Sequence, residues 1–173
     1  MIMTDIVVAT FYHFTYLDDP AAFRNTLFAE LAASNIMGTV LLANEGVNGT
    51  LAGSQKSINT AITALRQLPN LAQLEYKQTP AKSMPFHRLK VRLKREIVTM
   101  GMPGVDPLER VGTYVVPNDW NTLLADPETF LIDTRNSFEV ELGTFKGAIN
   151  PKTSSFRKLP EWLEEHHAKF KNK

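Results

Sequence analysis

The sequence predicts an α+β chain in two parts. In the first, strands and helices follow the order β-α-β-β-α-β; a shorter α/β segment comes after it. Three observations predict this. Runs rich in β-branched and aromatic residues alternate with stretches that carry apolar residues at helical spacing behind a capping side chain. Proline and glycine punctuate the chain at Met102-Pro103-Gly104 and again at Asp106-Pro107. The charge balance changes sign at the same place. Residues 1–104 hold 10 Lys and Arg against 7 Asp and Glu, and residues 105–173 hold 9 against 11, within a net charge of +1. The predicted domains are therefore 1–104 and 105–173.

Each element has its own warrant. Ile6 to Tyr16 is β-branched and aromatic, hence a strand. Asp19 is placed to cap a helix that has Pro20 at its first position, with Phe23, Leu27 and Leu31 as its apolar stripe. Ile36 to Ala43 reads as a short buried strand. Asn48-Gly49 is a hairpin signal, because both residues tolerate positive φ, and Thr50 to Gly53 would be the returning strand. Ser54 caps a second helix with the stripe Ile58, Ile62, Leu65 and Leu68, stopped at Pro69. Leu71 to Thr79 is the fourth strand, and Phe86 to Met100 adds extended chain. The βαββαβ order is that of ferredoxin-like domains.

The second part is thinner. Pro117 to Leu124 reads as a short helix stopped by Asp126-Pro127, and Phe130 to Asp133 as a compact buried strand. Gly143 to Asn150 holds another strand and a turn. Ser155 to Phe170 is a helix with Leu159, Trp162 and Leu163 on its apolar side. Two short strands and two helices make a poor core for a parallel α/β unit, because small units bury too little surface. The expectation is an incomplete domain whose next strand follows Lys173.

Composition excludes several classes. The 173 residues include no cysteine, which rules out disulfides, thiolate metal sites and a cysteine nucleophile within them. No apolar run approaches the ~20 residues of a membrane span, and Met1 to Asp5 shows no secretory signal. A cytoplasmic protein with no membrane partner is expected. Among the four histidines, His166 and His167 are adjacent and cannot face one metal from a helix, so no metal site is expected. His13 reads as packed rather than catalytic. Walker A, dinucleotide-binding and G-x-S-x-G patterns are absent.

Three clusters carry chemistry. From Tyr76 to Arg95 there are seven basic residues and no acidic one. Within it Arg88, Lys90, Arg92 and Lys94 alternate with Leu89, Val91 and Leu93, so a strand sets the cations on one face. Like charges spaced ~6.6–6.8 Å apart repel unless something anionic lies over them. An RNA backbone would serve, with Arg95 extending the row and Phe86 and His87 beside it to stack on a base. Basic residues that guard an exposed edge strand would give the same pattern. The second cluster is the loop Asn44-Glu45-Gly46-Val47-Asn48-Gly49-Thr50, whose Asn44, Glu45 and Asn48 can read a substrate or simply build a hairpin connection. The third is Asp133 and Arg135 at a strand end, followed by Glu139 and Glu141. These are either acid/base groups or an ion pair that fixes a loop.

The loop Asn44 to Thr50, and the segment Pro85 to Val98 that holds the basic strand, resemble the rhodanese-domain tRNA uridine hydroxylase family. So do Leu131-Ile132-Asp133-Thr134-Arg135-Asn136 and Gly143-Thr144-Phe145-Lys146-Gly147-Ala148-Ile149-Asn150-Pro151. The resemblance runs in order along the whole chain. It implies an acylphosphatase-like version of the ferredoxin-like fold, followed by the first part of an α/β rhodanese-like domain. It also implies oxygen-dependent 5-hydroxylation of the wobble uridine, with the tRNA anticodon arm as partner and molecular oxygen as co-substrate; no other cofactor is evident. The family's essential cysteine would lie beyond Lys173, so the 173 residues alone would be inactive. Asp133, Arg135 and Glu139 would then support the cysteine loop. A rhodanese-type sulfurtransferase and a non-enzymatic tRNA-binding module are the alternatives. An active acylphosphatase is disfavoured, since no arginine-containing phosphate loop stands near the first strand.

Overall fold

A computed structural model of the chain describes residues 6–102, 104–109 and 112–170. They divide into two compact units, Met1–Val98 with Asp106–Glu109, and Thr99–Val105 with Arg110–Lys173.

In the first unit, β1 (Ile6–Phe14), α1 (Pro20–Ala33), β2 (Met37–Ala43), β3 (Gly46–Ser54), α2 (Gln55–Arg66), β4 (Tyr76–Ala81) and β5 (Leu89–Leu93) follow in order. The sheet order is β4-β1-β3-β2-β5. Its first four strands are antiparallel neighbours in the ferredoxin-like arrangement, and β5 joins β2 in parallel. Both helices start as the sequence predicts. The Asp19 carboxylate accepts from Ala22 N at 3.1 Å, and Ser54 Oγ accepts from Ser57 N at 3.1 Å. Leu27 and Leu31 of α1, with Ile58, Ile62 and Leu65 of α2, cover one face of the sheet. They meet Ala9, Phe11, Val40, Leu42, Val47, Leu51 and Val91 in a single core. All these strand residues belong to one alternation set, so α1 and α2 lie on one side; among the described residues no helix packs on the other face, where Ala43 and Ala52 are nevertheless buried and Ile97 is held by Asn48.

Three expectations need correction. Asn48-Gly49 is not the hairpin turn: the turn is Asn44-Glu45, and Asn48 and Gly49 lie inside β3 opposite Leu41 and Val40. Gly49 is small for another reason. A Cβ there would stand 2.6 Å from the Phe11 ring, which packs over the bare backbone. The fourth strand begins at Tyr76 rather than Leu71. Leu71 and Leu74 instead plug the core from successive turns, with the Arg66 guanidinium donating to Leu74 O at 2.8 Å. Phe86 to Met100 is extended only over Leu89–Leu93, because the chain leaves the edge of β2 just past Lys94 N, which donates to Leu42 O at 2.8 Å.

The second unit contains α3 (Trp120–Ala125), α4 (Ser137–Leu142) and α5 (Leu159–Phe170). The expected buried strand at Phe130–Asp133 is a single parallel bridge, Ile132 to Ile149, and Phe130 is 42% exposed. Two chain segments joined by so few backbone bonds, with no third strand beside them among the described residues, do not extend into a ladder. The helix predicted from Ser155 begins as a 3-10 turn, and α5 proper starts at Leu159. Leu159 is buried and Trp162 half-buried, but Leu163 is exposed, so the apolar side is narrower than predicted. Trp162 stacks on His166 at 4.5 Å between ring centroids.

Candidate nucleic-acid interface

The face of the sheet opposite the helices carries the basic strand. Register fixes its layout. Lys77 of β4 pairs with Thr10 of β1, Thr10 with Thr50 of β3, Thr50 with Thr39 of β2, and Thr39 with Lys90 of β5. One transverse line therefore runs Lys77-Thr10-Thr50-Thr39-Lys90. It crosses four strand spacings of ~4.8 Å, or ~19 Å in all. The adjoining line is Tyr12, Asn48, Leu41 and Arg92. Thr10 and Thr50 stand 3.4 Å apart through their hydroxyls. Tyr12 is 52% exposed, and its ring meets Phe14 edge-on at 6.2 Å, as i and i+2 on one strand face must.

The electrostatics of this face are one-sided. The five strands contain Lys77, Lys90 and Arg92 and no Asp or Glu. Arg88 and Lys94 flank β5 and continue the ladder to β2: Gly38 N donates to Arg88 O at 3.1 Å, and Lys94 N to Leu42 O at 2.8 Å. Among the described residues none of Arg88, Lys90, Arg92 and Lys94 has a carboxylate partner. Arg92, Lys94 and Arg95 are exposed and Lys90 is half-buried. Phe86 is half-buried and His87 exposed in the irregular segment before β5. The outer edge of β5 is partly closed, because Arg24 Nε of α1 donates to Val91 O at 3.1 Å. The cations of the row are thus not needed to cap that edge at Val91.

The loop residues Asn44, Glu45 and Asn48 are engaged with the unit's own backbone. Asn44 Nδ2 donates to Leu17 O at 3.0 Å and Asp18 O at 3.2 Å, which fixes the approach to α1. The Glu45 carboxylate accepts from Ile97 N, and Asn48 Nδ2 donates to Ile97 O at 2.8 Å. This two-point clamp holds Ile97, which is 2% exposed. Asn44 and Glu45 thus brace the β2–β3 turn and its surroundings, and Asn48 acts from inside β3.

In the second unit Asp133 and Arg135 form an ion pair. Arg135 Nε and Nη2 donate to the two carboxylate oxygens at 2.9 and 2.6 Å, and Nη2 also donates to Gly143 O at 2.7 Å. Thr144 Oγ1 donates to Asp133 Oδ2 at 2.7 Å. The Arg135 hydrogen bonds, then that of Thr144, hold the Asp133 carboxyl well below the usual carboxylate range, and Asp133 in turn raises Arg135. A carboxylate held ionised, with both oxygens occupied, is no proton donor at neutral pH; it ties the strand end to the 143–144 loop. Glu139 accepts from Asn136 N at 3.2 Å and Nδ2 at 2.8 Å, closing the start of α4. Beside the pair lies an open cleft of about 660 Å³ lined by Trp120, Leu131, Asp133, Arg135, Phe145 and Ala148. The Trp120 and Phe145 rings stack there at 5.3 Å.

The sign of the Asp133 shift sets a pH window. A depressed folded-state value contributes stability that is present above the free-carboxylate value of 3.8 and is lost only as pH falls through the lower folded value. The Asp133 carboxyl carbon, followed by NMR, is expected to titrate below the free-carboxylate value of 3.8, and Thr144→Val to move it upward. A titration at or above 3.8 would contradict this pairing.

The family model for the UPF0176 acylphosphatase-like domain matches residues 6–97. The chain is 50% identical over 168 residues to the tRNA uridine(34) hydroxylase of Gluconobacter oxydans (strain 621H), a match covering 97% of this chain and 54% of that protein. It is 51% identical over 166 residues to the tRNA uridine(34) hydroxylase of Mesorhizobium japonicum, covering 96% and 54%. The chain thus spans about half the length of the curated relatives it matches. Among solved structures, an acylphosphatase from Coxiella burnetii is similar at 16% identity and a TM-score of 0.36, over 51% of this chain and 92% of that one. Among the described residues, no helix is long and apolar enough to cross a membrane.

Proposed function

The chain belongs to the UPF0176 acylphosphatase-like family, and from that premise we propose that it is the tRNA-holding part of a cytoplasmic tRNA uridine(34) hydroxylase. The observation that carries the reading is 50% identity along 97% of the chain to a relative of that name. The reaction is oxygen-dependent hydroxylation of uridine 34 to 5-hydroxyuridine, performed by a protein of the relatives' length: one oxygen atom enters the C5–H bond, and the other leaves as water with two electrons and two protons from an external reductant. The unit boundary is drawn near residue 104, with residues 105–173 forming the first part of a rhodanese-like domain.

The roles follow from chemistry. Arg88, Lys90, Arg92, Lys94 and Arg95 hold phosphates of the anticodon arm, and Phe86 and His87 border that contact. Asp133, Arg135 and Glu139 shape the loops of the second unit. These 173 residues contain no thiol, so the nucleophile or persulfide carrier of a rhodanese-type reaction is not among them. The unpaired cations of the acid-free sheet support RNA as partner, since a purely small-molecule substrate needs no such row.

The experiment uses the protein made from its native gene. Incubated with unmodified tRNA in air and a two-electron donor such as NADH or dithiothreitol, it is expected to yield 5-hydroxyuridine; given thiosulfate and cyanide, it is expected to yield no thiocyanate above background. Thiocyanate at the rate of a known rhodanese, with tRNA unchanged, would replace this reading with the sulfurtransferase one.

A further inference from the structure

We propose that the helix-free face of the five-stranded sheet is a seat for single-stranded RNA. Unstacked bases lie on Tyr12 and Phe14 and over the threonine line, and the phosphates run between Lys77 on one edge and Lys90 and Arg92 on the other. The choice of RNA as the polyanion rests on the tRNA reading above; the mode of binding rests on the face itself.

Four features of the face argue for this occupant. Charge comes first: three cations and no carboxylate project from the strands, and they stand at both edges of the sheet rather than in one patch. A polyanion that crosses the strands satisfies both edges at once. Aromatic surface comes second. Tyr12 is 52% exposed on a strand whose neighbouring residues Ala9 and Phe11 are buried, and Tyr16, just past the strand end, is 59% exposed. Exposed rings on a flat sheet offer π-faces to bases that have left their stack. The third feature is the floor. Thr10, Thr50 and Thr39 are short side chains whose hydroxyls both donate and accept, so a base can approach the sheet closely and meet polar partners at its edge. The fourth is access: the clamp on Ile97 sits at Asn48, and Ala43 and Ala52 are buried, while the Lys77-to-Lys90 line between them stays half-exposed or exposed.

The bases of a duplex are stacked inside it and cannot use Tyr12, so the face selects single strands. An acidic peptide would satisfy the cations and leave the rings idle. This is a wider and different surface from the β5 row alone, since it includes β1 and β4.

The test measures binding of a short uridine-rich oligonucleotide to this chain by fluorescence anisotropy, with a duplex of the same length and poly-glutamate as competitors. The variants are Tyr12→Ala and Lys77→Glu. Tyr12→Ala is expected to weaken single-strand binding about tenfold and to leave duplex binding unaltered. Lys77→Glu is expected to weaken both and flatten the salt dependence. A second measurement needs no variant: 4-thiouridine in the oligonucleotide is expected to photo-crosslink to the β1 peptide that holds Tyr12 and Phe14. If RNA binds, Tyr12→Ala stays within twofold and crosslinks fall outside the sheet, the seat is refuted while the tRNA reading stands. If poly-glutamate displaces RNA at equal charge and Tyr12→Ala alters neither, the face is a plain cationic surface and the seat is again refuted. If no RNA binds at high micromolar concentration, the seat and the RNA-contact roles both fall. The hydroxylase activity is then judged separately, by nucleoside analysis with the protein from its native gene.

Discussion

Replacing Gly46 by alanine is expected to cost the first unit ~3–5 kcal/mol, at the far end of what single substitutions do. Gly46 follows the two-residue turn with φ of +133°, where a Cβ would stand 2.0 Å from His13 O and 3.0 Å from Thr15 N. Both are backbone atoms, so relief requires β1 and β3 to separate. They are also the strands on which the rest of the unit hangs, since β1 and β3 lie at the centre of the sheet. The turn next to Gly46 supplies the Asn44 bonds before α1 and the Glu45 bond to Ile97, so the strain reaches beyond one pair of strands. The check is urea denaturation followed by amide signals of β1 and β3. Trp120 and Trp162 both lie in the second unit, so tryptophan emission reports that unit alone. A loss below ~1 kcal/mol would mean that the turn is not built as described.

Reversing the row at Arg88, Lys90 and Arg92 to glutamate is expected to lower tRNA affinity by a factor on the order of 10² or more at low salt. The slope of log affinity against log salt should become shallower by about three, one for each phosphate contact removed. Lys56 provides the control. It is exposed on α2, which packs on the other face of the sheet, and Lys56→Glu is expected to change neither quantity. Equal affinity for the triple variant and the parent chain would move the RNA contact off β5.

The legible and illegible parts of this fold differ in a physical way. Helix starts were legible because a cap is a local event: Asp19 before Pro20, and Ser54 before the Ile58 stripe, need no partner strand. The ferredoxin-like order was legible for the same reason, from element types alone. Asn48-Gly49 misled because a glycine can be required by a neighbour's bulk as well as by its own φ, and the Phe11 ring that requires Gly49 comes from a strand 38 positions earlier. Leu71 and Leu74 misled because a short apolar stretch leading into a strand looks like its beginning, although their spacing of three is that of successive turns. The second unit kept its two predicted helices, gained α4, which the sequence reading missed, and lost its strands, since parallel pairing depends on neighbours that sequence spacing does not specify.

The same distinction applies to the interface. Arg88, Lys90, Arg92 and Lys94 were visible because they share one strand. The line from Lys77 through three threonines to Lys90 draws on five strands and exists only once register is fixed. Alternation within Thr10, Tyr12 and Phe14 was a signal available in the sequence, but nothing there says that both helices pack on the opposite side of the sheet. Asp133 and Arg135 were legible as a pair, whereas the Thr144 and Gly143 bonds that hold them to the next loop were not.

The most direct measurement is mass analysis of the nucleoside at position 34 after the protein from its native gene has acted on unmodified tRNA under oxygen-18 gas, with a two-electron donor such as NADH or dithiothreitol present. Uridine carrying one added oxygen-18 at C5 is the predicted product, and none should form under nitrogen. Unmodified uridine after full incubation, or an added oxygen that carries the isotope of water rather than of the gas, would contradict oxygen-dependent hydroxylation as the function.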